Sequence, residues 1–138
     1  MLRSLVGSEM CIRDRLLVDW EWSDPEFALR VSGPFLDQLN TLDNNPAVHT
    51  IIAATHFPIL EEQIHRDDHK SGWAFSNAYA GNLTLGKQVL KIKKLNQVLS
   101  GHTHIGKRGS VARNGLNPVS YQVLEADYQK PAMIGLAF

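Results

Sequence analysis

Four apolar residues in a row, Ile51-Ile52-Ala53-Ala54, stand between the loop residues Asn44-Asn45-Pro46 and the tetrapeptide Thr55-His56-Phe57-Pro58. A short uninterrupted apolar run between turn signals reads as a strand buried on both faces, here within Val48 to Thr55. Such a strand needs covering layers, and the helical signals around it supply them. Ser23-Asp24-Pro25-Glu26 is a helix start, with Ser23 and Glu26 spaced as a capping box and Pro25 in the first turn. Gly33-Pro34 is expected to interrupt this helix or to begin a second one. Phe35, Leu39 and Leu42 then share one helical face. Leu85, Val89 and Ile92 form the stripe of another helix, over about 85–94, with Lys87, Lys91 and Lys94 opposite as a solvated face. A second buried strand is expected at Gln97 to Ser100. Arg113-Asn114-Gly115 is a hairpin-type turn signal. Val119 to Leu124 and Met133 to Phe138 read as two closing strands. The order helix, strand, helix, strand and paired strands defines a layered α/β domain.

Composition excludes several classes. The chain has 138 residues and a formal net charge of zero, so neither a nucleic-acid footprint nor a surface for anionic membranes is indicated. No apolar run approaches the roughly 20 residues that span a bilayer. Cys11 is the only cysteine, which rules out a disulfide within one chain and a thiolate zinc knuckle. Cytoplasmic residence is the default expectation for such a chain.

Two expected strand ends carry histidine. In α/β sheets, ligands gather beyond the carboxyl ends of the strands. His56 follows the first buried strand; His102 and His104 follow the second, in Gly101-His102-Thr103-His104. Gly101 permits a backbone conformation that a side chain disfavours, and an i, i+2 pair in an extended loop points both imidazoles the same way. Neutral imidazole is the usual nitrogen ligand of zinc, iron and related metals. A lone histidine at a strand end such as His56 usually reads as a satisfied polar residue, and a bare His-x-His fits that reading and the ligand reading equally. Together, on two strand ends, they mark a candidate metal site. His49 precedes a strand. His65 and His69 lie in a polar stretch, 60–80, expected to be a surface excursion in which Asp67, Asp68 and Ser71-Gly72 oppose a helix. Trp73, Phe75, Asn77 and Tyr79 in that stretch are candidates for shaping a pocket, or for local packing.

Thr55-His56-Phe57-Pro58 and Gly101-His102-Thr103-His104 resemble the last two motifs of the calcineurin-like metallophosphoesterases, in the same order and with a lysine-bearing helix between them. The resemblance covers about residues 17–138. It implies an α/β fold that is the C-terminal half of a two-sheet sandwich with flanking helices. It also implies hydrolysis of phosphate mono- or diesters at two divalent or trivalent metal ions, drawn from manganese, iron, zinc and nickel. His56 and His102 would bind one ion and His104 the other. Metallo-β-lactamase-like enzymes also use His-x-His, but their motif continues with Asp-His, where Ile105-Gly106-Lys107-Arg108 stands here.

The chain departs from the family pattern at its start. There is no Asp-x-His near the beginning, no Gly-Asp for the bridging carboxylate and no Gly-Asn-His for a further ligand and the leaving-group histidine. Asp19 has Glu21, not histidine, two residues on. No catalytic residue is therefore assigned. The expectation is a partial phosphoesterase domain over 16–138 that depends on a missing N-terminal half. The alternative is a non-catalytic fragment or interaction half. Met1 to Arg15 is not a signal peptide. It resembles a string that recurs at the start of unrelated conceptual translations, derived from sequencing-adapter DNA, so natural coding sequence is expected from near Leu16.

Overall fold

The structure, a computed structural model, describes residues 21–66, 81–126 and 131–136. It is α/β. Helix α1 (Asp24–Asn44) is followed by strand β1 (Ile51–Ala54), a single 3-10 turn (Glu61–Gln63), helix α2 (Leu83–Val89), and strands β2 (Leu95–Ser100), β3 (Lys107–Arg113) and β4 (Leu116–Val123). The strands form one mixed sheet in the order β1-β2-β4-β3. β1 and β4 both run parallel to β2, whereas β3 and β4 form an antiparallel hairpin. The expected segment at 1–15, Asp19, His69 and the aromatic residues of 73–79 lie outside the described residues. No helix among the described residues is long and apolar enough to cross a membrane.

Helix α1 begins where the sequence places its start. The Glu26 carboxylate reaches back to accept from the Ser23 backbone N–H at 2.9 Å and from the Ser23 hydroxyl at 2.6 Å. Trp22, just before the cap, stacks on Phe27 in the first turn with ring centroids 6.3 Å apart, a hydrophobic staple. The helix does not break at Gly33-Pro34; it runs on with Pro34 inside it. Proline cannot donate to the carbonyl of Arg30 and normally kinks a helix. Pro34 lies on the exposed side, however, and the following turns are anchored by Leu39, which is buried, and by Phe35, Leu36 and Leu42 packed against the core. Anchoring by tertiary burial outweighs one lost hydrogen bond.

One apolar core runs through the molecule. Leu39 of α1, Ile51 and Ala53 of β1, Val89 of α2, Leu95 and Val98 of β2, and Val119 and Tyr121 of β4 belong to a single cluster, with Ile59, Leu60 and Ile92 from the connections. β1 is half-covered rather than buried on both faces: Ile51 and Ala53 are buried, Ile52 is intermediate and Ala54 exposed. Among the described residues it is an edge strand, and Ile51 and Ala53 carry the face that meets the core. α2 is shorter than the sequence suggests and ends at Val89, so Ile92 and Lys94 belong to the turn that leads into β2. That turn is held from both sides. The Asp43 carboxylate accepts the amides of Lys93 and Lys94 at 3.2 and 2.8 Å. The Arg113 guanidinium donates to the carbonyls of Leu90, Ile92, Leu95 and Asn117.

The partner of β4 is also corrected. Residues 133–136 form no strand, and β4 instead pairs with β3 through the turn at Gly115, whose φ is +68°. The turn signal therefore joins the strand before it to the strand after it. The sequence of β3, Lys-Arg-Gly-Ser-Val-Ala-Arg, conceals it, because most of its residues are exposed and no apolar alternation marks it. The stretch after Pro58 is not wholly a surface excursion either: Ile59, Leu60, Gln63 and Ile64 are buried, and the 3-10 turn packs against β3 and β4.

Candidate metal centre

The histidine loops leave adjacent parallel strands at the same end of the sheet. The ladder continues past the strands: Thr55 N–H donates to Leu99 O at 2.9 Å, and Gly101 N–H donates to His56 O at 3.1 Å. The Thr55 hydroxyl donates to Phe57 O at 2.7 Å and tightens the first loop. These bonds bring together side chains 46 residues apart, with His56 Nε2 and His102 Nδ1 separated by 3.2 Å. Phe57 packs on both rings, with its centroid 4.8 Å from that of His56 and 4.2 Å from that of His102.

The backbone of the second loop is not extended. His102 and His104 have φ of +65° and +57°, and Gly101, the residue expected to take up the special conformation, does not. Thr103 N–H donates to Gly101 O at 2.8 Å, which closes a three-residue turn centred on His102 in its strained, positive-φ form. A side chain in this region costs about 1–2 kcal/mol and persists where the surroundings dictate it. The consequence is that the two imidazoles of the loop do not point the same way. His102 faces His56, and the Nδ1 of His104 bonds to the carbonyl of Ala126 just past β4. A carbonyl only accepts, so the Nδ1 of His104 donates in this contact. This is the arrangement by which a backbone group orients a ligating histidine.

Electrostatics favour the neutral form of His102. Burial holds the pKa of His102 below its ordinary value, and the neighbouring His56 and His104 add repulsion in the same direction. A neutral imidazole is the form that ligates metal. Bonds from imidazole nitrogen to zinc are about 2.0–2.1 Å, so two such nitrogens on one tetrahedral ion stand about 3.3 Å apart. The 3.2 Å between His56 and His102 fits that edge. The fit ends there: among the described residues, no group of three or more histidine, cysteine, aspartate or glutamate side chains is placed to hold an ion. The structure thus brings His56 and His102 together as a pair and turns His104 toward Ala126.

Of the remaining histidines, His49 is exposed ahead of β1 and His65 lies beyond the 3-10 turn. A groove of about 330 Å³ beside the hairpin is lined by Gly106, Lys107, Arg108, Gln122, Glu125 and Met133, among others, and by none of the three candidate ligands. Sequence reasoning missed Gln63, a buried amide bonded to Ser100 at the end of β2. The available signal was a glutamine set among the apolar residues Ile59, Leu60 and Ile64. Comparison of the chain with protein-family models, curated proteins and solved structures finds no match.

Proposed function

We propose that His56 and His102 form the imidazole edge of a metal site serving phosphate-ester hydrolysis, in a chain resembling the late-motif half of a calcineurin-like metallophosphoesterase. The observation that carries this reading is the 3.2 Å approach of two ring nitrogens from separate strand ends. In this reading the four-stranded sheet is one sheet of a two-sheet sandwich. His104, oriented by Ala126, is the ligand of a second ion. When bound, the ions neutralise phosphoryl oxygens and lower the pKa of a water to supply hydroxide near neutral pH. The chain's own residues hold and orient: the parallel ladder fixes the two loops, Phe57 packs on the imidazole pair, and depressed basicity favours the neutral form of His102.

A second reading is favoured by the donor set. With a pair of imidazoles and no carboxylate grouped with them among the described residues, the chain by itself is a non-catalytic half that binds one ion. Both readings are tested on the purified full chain with Co²⁺ as a spectroscopic probe. One equivalent bound, with loss of binding in His56→Ala and in His102→Ala, supports the ligand pair. Wild-type protein that takes up no Co²⁺, or uptake unchanged by both substitutions, overturns it. Hydrolysis of an aryl phosphate or aryl phosphodiester by the loaded chain, abolished by His102→Ala, selects the enzyme; binding without turnover selects the half-site.

A further inference from the structure

The two histidine loops are joined by one buried side chain. Gln63 is 1% exposed, and so is Ser100. Gln63 Oε1 accepts the backbone amides of Ile59 and Leu60, both at 3.0 Å, and Gln63 Nε2 donates to Ser100 Oγ, also at 3.0 Å. Ile59 lies three residues beyond His56, and Ser100 stands two residues before His102. The amide therefore spans 37 residues of sequence and ties the loop after β1 to the last residue of β2.

We infer that Gln63 is a positioning residue that sets the spacing between His56 and His102. The inference rests on the reading of these two as a ligand pair and adds the residue that holds them in register. A buried amide satisfied by three hydrogen bonds is costly to leave unpaired, so each bond resists displacement of either loop. The bonds are also directional: two converging amides fix the orientation of the carboxamide, and one N–H of its NH₂ group then fixes Ser100. Backbone pairing alone aligns strands, but it does not set the path of the Pro58-Ile59-Leu60 segment that returns from His56. Gln63 does so through the backbone amides of Ile59 and Leu60 and through the Ser100 hydroxyl. Apolar packing at position 63 would fill the same volume and leave the return segment without this tie to Ser100.

The test compares wild type with Gln63→Met, which keeps volume and removes all three bonds, and with Ser100→Ala, which removes only the cross-loop bond. Folding of each full-length variant is checked by circular dichroism. Two readouts follow. In metal-free protein, the ring ¹⁵N resonances of His56 and His102 report the tautomers imposed by their 3.2 Å contact. In Co²⁺ titrations, affinity reports the pair as ligands. We expect both folded variants to lose the paired ring signature and to bind Co²⁺ about 10- to 100-fold more weakly. Folded Gln63→Met and Ser100→Ala proteins with wild-type ring signals and affinity would overturn the inference. Should Gln63→Met fail to fold, Ser100→Ala decides it alone. If wild type binds no Co²⁺, the ligand reading falls, and the metal-free ring signals still decide whether Gln63 positions the two histidines.

Discussion

The carbonyl of His56 accepts the amide of Gly101 at 3.1 Å, two residues past the end of β1 and one past the end of β2. This bond makes the two loops a continuation of the parallel ladder. Parallel strands place like ends side by side, so residues that follow them enter one small region however far apart they lie in sequence. The candidate centre is thus a product of strand direction, with side-chain detail added afterwards.

The left-handed backbone at His102 predicts a difference between two substitutions that both remove the ring. His102→Gly relieves the conformational strain, whereas His102→Val places a β-branched side chain at φ near +65°. We expect the glycine variant to be more stable than the valine variant by about 1–2 kcal/mol in urea unfolding. Equal stabilities would show that the loop relaxes out of this conformation at little cost.

Gly86 lies in α2 directly against the return segment from His56. A Cβ built there stands 1.7 Å from the carbonyl oxygen of Ile59. Gly86→Ala therefore forces backbone apart and is expected to lose about 2 kcal/mol or more of stability. Because Ile59 is bonded to Gln63, the variant is also expected to bind Co²⁺ more weakly. A chemical denaturation curve superimposable on wild type would refute this close approach.

Arg113 holds the α2–β2 turn through backbone carbonyls alone. Burial beside those carbonyls lowers its guanidinium pKa, opposed by the charge of Asp43. Arg113→Met leaves four carbonyls without this donor, and a loss of about 3 kcal/mol is expected. Arg113→Lys should recover only part of it, since an ammonium group cannot reproduce the planar fork. Full recovery by lysine, measured by thermal unfolding, would show that charge rather than geometry matters.

At the start of α1, the Ser23 hydroxyl and then the Ser23 backbone N–H hold the Glu26 carboxyl below its ordinary pKa of 4.5. A carboxylate depressed in the folded state stabilises the fold above its unfolded pKa and loses that effect as pH falls through the folded value. The difference in helicity between wild type and Glu26→Gln should be full above pH 4.5 and close on further acidification. A difference constant from pH 6 to about pH 2 would mean that the cap does not depend on ionisation.

Local chemistry made part of this protein legible from its sequence. Ser23, Pro25 and Glu26 announce a helix start because their side chains act within one turn. Ile51 to Ala54 announce a strand because their pattern needs no distant partner to be recognised, and Gly115 announces a turn through its own backbone freedom. The presence of histidine at two strand ends is legible for the same reason.

Other features required the tertiary structure. The passage of α1 through Pro34 depends on Phe35 and Leu39 being anchored in a core formed from the whole chain. β3 carries no apolar pattern and exists through its pairing with β4. The left-handed turn at His102 is imposed by Gly101 and Thr103 in place, against the preference of the residue itself. The role of Gln63 emerges only when Ser100 is brought opposite it. Sequence fixes what each segment can do alone; burial and strand pairing decide what segments far apart do together, because those energies belong to pairs of residues and not to either member.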